Sequence, residues 1–414
     1  MNVRRSAATL AASAVLCVGA APVALADVAP PSPPPPIPSG LFGKNDPTYD
    51  GVWRQSFALL AQHAVGLKPN QQAIDWLAGQ QCADGGFASF RADTGAACDA
   101  KTLDTNATAV AVQALEALGG QDAVVKKAKD WLKSVQNDDG GWAYLPGSPS
   151  EASSTAVVIS ALAVAGEKPA DVTSKLGKSA YDSLLTFQLG CSAEPAEDRG
   201  AFAYQRTADG KLPANADATA AAVLAGLGKG TAVTPPATDT LAASLTCPAT
   251  AGDAAAAAAQ GAAGYLAKAL NKDGNHLTAL TPGADQPTSD IGNTADAVIS
   301  LAAAGHKQSA ASALEWLKAN SAEWSKGSPA GLGTLILAAH AMGTDPKDFG
   351  GTNLVAALNA TGPAPASASE QPAKKKDEKK DSGNKNVWWM ILAGAAAGMG
   401  IGIVLSGRRK KNQL

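Results

Sequence analysis

Apolar positions between residues 50 and 360 recur with helical spacing almost throughout, and only short stretches alternate as strands do. Two kinds of helix take turns. The first kind starts at an acidic or amide residue, places Thr-Ala four residues later, and runs through apolar positions to a glycine. Asp104/Thr108/Gly119, Glu151/Thr155/Gly166, Asn215/Thr219/Gly230 and Asp290/Thr294/Gly305 carry this unit at the same offsets. A polar residue suits a helix start, where free N–H groups and the dipole favour it. Glycine suits the stop, because it takes the left-handed conformation without steric cost. Pro69, Pro169 and Pro346 follow terminating glycines and reinforce three of the stops. Helices ending at Gly66 and Gly343 lack the threonine but keep the ending, which predicts six helices of this kind. Several are apolar nearly all round (156–165 and 295–304), so they belong inside the fold.

The second kind carries Trp-Leu, then Gln, then Asp-Gly-Gly and an aromatic. Trp76, Leu77, Gln81 and Phe87 form one copy; Trp131, Leu132, Gln136 and Trp142 form another. Degraded copies lie near Leu184–Gln188, Tyr265–Leu270 and Leu314–Leu317, and a last helix near Asn353–Leu358 has lost the motif. Lys126, Lys129 and Lys133 give this kind a solvated face, which predicts an outer position. Fixed-offset self-similarity marks a repeat architecture. Six inner and six outer helices predict an all-α, α6/α6 toroid over residues 46–361. The Ala/Thr/Pro-rich stretch between Gly230 and Gly261 reads as an insertion.

The flanks differ in composition. Residues 1–26 read as a signal peptide: Arg4 and Arg5, an apolar stretch to Ala24, then Ala24-Leu25-Ala26. Residues 27–45 form a Pro-rich spacer and 362–386 a solvated, Lys-rich extracellular stalk. Residues 387–407 are apolar over about 20 positions, enough for a transmembrane helix. Trp388 and Trp389 stand at its outer edge, and a short basic cytoplasmic tail, 408–414, follows. This predicts a single-pass membrane protein with the toroid outside. Gly394, Gly398 and Gly402 would allow a homodimer through the span. The net charge of -2 gives no reason to expect a nucleic-acid partner. Four cysteines follow the leader; locality favours Cys82–Cys98 and Cys191–Cys247, as disulfides in an oxidising compartment.

The Trp-Leu…Gln…Asp-Gly-Gly-aromatic unit resembles the QW motif of the prenyltransferase and squalene–hopene cyclase repeat family. The resemblance rests on Trp76, Gln81, Phe87, Trp131, Gln136 and Trp142, and covers most of residues 50–360. It implies an α/α toroid, a fold similar to that of the cobalamin carriers intrinsic factor and transcobalamin. The motif residues themselves read as structural. The chemistry that the family uses is missing: the chain has no Asp-x-Asp-Asp acid, no Asp-Asp-x-x-Asp, no thioester motif and no His/Cys spacing for zinc. No cofactor or metal is expected, and the reading leans away from an enzyme. The lone histidines read as surface or helix-end residues.

The inner helices should all start at one end, forming a mouth. Asp104, Thr105, Tyr144, Glu151, Ser154, Tyr204, Asp217, Asp290 and Asn293 would gather there, where aromatics beside polar groups suit a small amphipathic ligand. The leading expectation is a ligand- or partner-binding protein, with a corrinoid captured for a membrane transporter as its most specific form. Three alternatives stand beside it. One is a polysaccharide- or lipid-active enzyme pairing Glu151 with Asp104 or Asp290. The others are a terpenoid cyclase or prenyltransferase-like enzyme with a wide apolar cavity, and a structural surface protein with a filled centre.

Overall fold

The computed structural model describes residues 37–247, 253–280 and 285–366. The expected signal peptide, the membrane span with Gly394, Gly398 and Gly402, and the tail lie outside the described residues. Among the described residues no helix is long and apolar enough to cross a membrane.

Inner and outer helices alternate. Inner α1 (Gly51–Ala64) is followed by outer α2 (Gln71–Gly79). Strands β1 (Phe87–Ala88) and β2 (Leu103–Asp104) lead into inner α3 (Thr105–Leu118), followed by outer α4 (Asp122–Ser134). Inner α5 (Ala152–Val164) precedes a short outer α6 (Ala180–Leu184). Strands β3 (Phe202–Ala203) and β4 (Ala214–Asn215) lead into inner α7 (Ala216–Gly226) and outer α8 (Ala254–Lys272). Strands β5 (Leu277–Ala279) and β6 (Thr288–Asp290) lead into inner α9 (Ile291–Ala303) and outer α10 (Lys307–Asn320). A turn of helix, α11 (Ala322–Ser325), precedes inner α12 (Pro329–Met342) and outer α13 (Leu354–Asn359). Each inner helix packs on the next, and α12 packs back on α1, so the ring closes. Each outer helix returns along its inner partner, which puts all six inner N-termini at one end. The strand pairs are antiparallel hairpins at that end, in front of α3, α7 and α9.

The two repeated motifs hold each other. Thr108 Oγ1 accepts the Phe87 N–H at 2.9 Å and donates to the Asp104 carbonyl at 2.8 Å. Thr155 accepts from Trp142 N–H, Thr219 from Phe202 N–H and Thr294 from Leu277 N–H, at 2.9–3.0 Å. The threonine of the inner helix is therefore a hook for the backbone just beyond the glycine turn, Gly-Gly in two repeats and a single glycine in the other two. These bonds are buried, so Thr108→Val should cost about 1–3 kcal/mol by leaving the Phe87 N–H unpaired. Urea denaturation of the two proteins measures it; an unchanged midpoint would show that the hook is dispensable.

The glutamines act between neighbours. Gln81 Nε2 donates to Gly85 O in its own turn and to Val124 O of α4, and Gln136 repeats this with Gly140 O and Val172 O. The turn glycines make the approach possible. Gly85 and Gly140 have φ of +107° and +91°, and a Cβ on either would meet the next repeat's backbone carbonyl at 2.3 or 2.2 Å. Trp142 is fully buried with its indole N–H on Leu132 O; Phe87 and Trp131 are buried, while Trp76 stacks on Phe90 at the periphery.

The structure differs from the sequence reading in three places. The chain from Leu41 is not spacer: Leu41 and Phe42 are core residues, and Gly43 N–H bonds to Thr361 O, so the segments entering α1 and leaving α13 are tied together. Residues 364–366 also stay attached, with the Ala366 N–H on Lys68 O. Helix α8 starts at Ala254, well before Gly261, which shortens the insertion. His306 stands at a helix end, the N-cap position of α10, as the sequence reading allowed; it is buried there and bonded at both ring nitrogens, to Thr240 and Gln260.

Cys82–Cys98 and Cys191–Cys247 are disulfides, as locality suggested. They fit an exported chain, since such bonds persist in oxidising compartments. The insertion after α7 first crosses the far end of the barrel. Thr231 N–H bonds to Gln113 Oε1 of α3, Lys229 Nζ to Ala303 O of α9, and Val233 is buried. It then lies against α8, with Leu245 on Gly261, and is tied down at Cys247 by the disulfide to Cys191.

Candidate functional site

The inner helix starts form a linked polar rim. Asp104 caps α3 through Ala107 N–H and accepts from Ser89; its burial raises the carboxyl, and these bonds offset part of that. Thr105, the first residue of α3, is buried and donates its N–H to the Tyr144 carbonyl. One repeat on, the Ala152 N–H of α5 bonds to the Tyr204 carbonyl. The loops carrying the two tyrosines thus satisfy the starts of the preceding inner helices, where free N–H groups need partners.

Glu151 is buried but makes no side-chain cap on its own helix. Its carboxylate accepts from Ser154 Oγ, from Tyr144 N–H and from the Tyr204 hydroxyl. Burial and that carboxylate push the Tyr204 hydroxyl well above the ordinary tyrosine range. Asn215 caps α7; Asp217, two residues further, instead accepts from Ser153 Oγ at 2.8 Å, joining α7 to α5. Asp290 caps α9 and takes both Asn293 donors, so these two residues occupy each other. The predicted pairings of Glu151 with Asp104 or Asp290 are accordingly not free acid–base pairs, since each carboxylate already has donors on both oxygens.

The chemistry that remains unpaired lies deeper. A cavity of about 90 Å³ occupies the axis, lined by Trp53 and Phe57 of α1, Gln113, Ser160, Asp217 and Asp296 among others. An outer chamber of about 260 Å³, bounded by α11 and α12 with Trp324 and Thr334, shares Trp53, Phe57 and Asp296 with it. Trp53 and Phe57 stack at 5.1 Å and 26°. Thr231, from the insertion, closes the far end. Asp296 has no hydrogen-bond donor among the described residues. Burial, then the negative charges of Asp217 and Asp290, push its carboxyl up to about 7. By surface area Asp296 is only partly buried and Asp217 is exposed, yet protein crowds both carboxyls closely enough to raise them. Asp217 is also raised, by burial first; its bond to Ser153 offsets part of this, and the charges of Asp290 and Glu151 add to it. Asp296 can exchange a proton near neutrality, and the two carboxylates together can attract a cation.

Asp296 and Trp324 escaped the sequence reading, and one signal would have found the first. In the repeat, Asp296 stands six residues after the cap, the position of Val110, Val157 and Ala221. Val157 and Ala221 also line the axis. An aspartate in that column of an inner helix is a carboxylate aimed at the barrel centre. Among the described residues no group of three or more His, Cys, Asp or Glu is arranged to hold a metal ion.

Fold and site together define an α/α toroid whose ring of helix starts opens onto a narrow, carboxylate-bearing axial cavity. Residues 47–190 match the family model of the prenyltransferase alpha-alpha toroid domain, and the chain carries a toroid domain of that type. The crystal structure of a protein from Actinoplanes aligns with a TM-score of 0.46 and 16% identity, over 75% of this chain and 96% of that one. The chain matches no curated protein.

Proposed function

We propose that the toroid is the ligand-binding part of an exported, membrane-anchored surface protein, and that its ligand enters at the inner-helix mouth. The observation that carries this reading is the cavity itself: its outer chamber is lined by the exposed Trp324, and it holds in Asp296 a carboxylate that no structural bond explains. Tyr49, Tyr144, Tyr204 and Trp324 are the exposed aromatics among the described residues, and each precedes an inner helix. Rings at a rim and polar groups at depth suit a molecule, or a protruding group of a partner, with an apolar body and a polar tip.

The cavity favours some of the alternatives over others. Its two chambers are smaller than the roughly 300–1,000 Å³ that encloses a drug-sized ligand. A corrinoid would therefore lie across the rim with only an edge inside, and it is the less favoured occupant. A terpenoid cyclase needs a wide apolar space, which these narrow chambers do not offer. A purely structural role leaves the unpaired Asp296 without a purpose.

Trp53 and Trp324 report on occupancy. A panel of cobinamide, an oligosaccharide and short-chain amphiphiles should contain at least one compound that alters tryptophan emission and raises the melting temperature. The response should vanish in Trp324→Ala, whose partly exposed ring can be removed without opening the core. No response from any class at millimolar concentration would overturn the reading.

A further inference from the structure

The polar tip that this mouth accepts can be assigned a charge. We infer that the axial cavity takes an organic cation, an alkylammonium or guanidinium head on an apolar stem, between the Trp53/Phe57 stack and the carboxylates of Asp217 and Asp296. The inference rests on the mouth being a ligand site, and adds the chemical class of the ligand.

Three independent features converge. The first is charge without compensation. Asp217, Asp290, Asp296 and Glu151 act on one another as like charges, and no lysine or arginine among the described residues acts on Asp217 or Asp296. Nearby Arg54 is engaged elsewhere, by Asp50 and the Asn45 carbonyl. The second is Asp296 itself, partly buried, without a protein donor, and lining both chambers. A carboxylate drawn into a cavity wall is ordinarily paired, and one left unpaired there has room for a cationic partner. The third is the opposite wall. Trp53, Phe57 and, in the outer chamber, Trp324 offer ring faces, which attract cations through their quadrupole. A metal ion would make poor use of these rings, and the carboxylates are not arranged to chelate one. The combined space suits a head group and a few methylenes rather than a macrocycle.

The purified exported region is titrated at pH 8 with hexylammonium, hexanamide and hexanoate, which share a stem and differ in charge. Tryptophan emission and melting temperature are the readouts. Hexylammonium should bind at least about tenfold more tightly than hexanamide, and hexanoate least of all. Asp296→Asn should remove that preference while leaving hexanamide binding in place. Trp324→Ala, on the rim, should weaken hexylammonium without unfolding the toroid. Sodium and calcium chloride at matched ionic strength should not compete. If hexanamide or hexanoate binds as well as hexylammonium, with the response still lost in Trp324→Ala, the mouth is a ligand site and the cation assignment falls. Displacement of hexylammonium by calcium alone would also overturn it, in favour of an inorganic ion. If no member of the series binds, the cation assignment falls, while a response to cobinamide or the oligosaccharide would keep the mouth as a site.

Discussion

Asp296→Asn should make this protein more stable at pH 8 and leave its stability at pH 4 nearly unchanged. The carboxyl is raised to about 7 in the fold by burial and by Asp217 and Asp290, against roughly 3.9 in an unfolded chain. Between those values the native state holds a proton that the unfolded state has released. Stability therefore falls as pH rises through this window, and the loss is complete above 7. The full separation corresponds to about 4 kcal/mol at most, and solvent in the cavity reduces it, so about 2–4 kcal/mol is expected. The asparagine removes the charge at pH 8 but replaces an already neutral acid at pH 4. Any packing cost of the amide is common to both conditions and cancels in the difference. Urea midpoints of both proteins at the two pH values measure it. An equal effect at both pH values would mean that Asp296 is solvated or paired, and would remove the basis for a cation site. The same titration governs ligand: hexylammonium affinity should fall as pH drops below about 7, because the protonated acid no longer attracts it.

A residue that destabilises its own fold at neutral pH is what local consistency does not explain, and such positions tend to serve function. This bears on what could be read from the sequence. The ring was legible because caps, glycine stops and helical periodicity repeat at one offset, and local rules set each of them. The threonine's role was not, because its partner, the Phe87 N–H, is distant in sequence and belongs to the other motif. The mouth residues were legible as a group but not in their allocation. Asp104 and Asp290 cap their helices, whereas Glu151 binds a tyrosine from the next repeat; that choice depends on loop geometry. Asp296 was masked by the apolar run around it. The hydrophobic pattern says that a helix is buried, and only comparison down the repeat columns says which of its faces meets a void. The insertion looked like surface elaboration from its composition. Its function as the floor of the cavity follows from Gln113, a polar residue in an inner helix whose acceptor reaches Thr231.

Removing the Cys191–Cys247 bond should have the other large effect. The double variant Cys191→Ser/Cys247→Ser opens a loop of 56 residues, and chain entropy assigns such a loop about 4 kcal/mol; the 16-residue loop of Cys82–Cys98 is worth about 3 kcal/mol. The two bonds should also differ in where the loss is felt. Cys82–Cys98 staples the excursion between α2 and α3, so its loss should be global and leave the cavity intact. Cys247 ties down the insertion, whose earlier part closes the axis through Thr231 and is held at the corner by His306 on Thr240. Once the disulfide is gone, those hydrogen bonds are the remaining anchors, and they open locally at lower free energy than the ring unfolds. Amide exchange in 229–247 should therefore accelerate well beyond exchange in α3 or α9. Ligand bound at the Trp53/Phe57 end should be released faster as the floor loosens. Uniform acceleration across all helices would instead make the bond a simple brace, and would separate the insertion from control of the cavity.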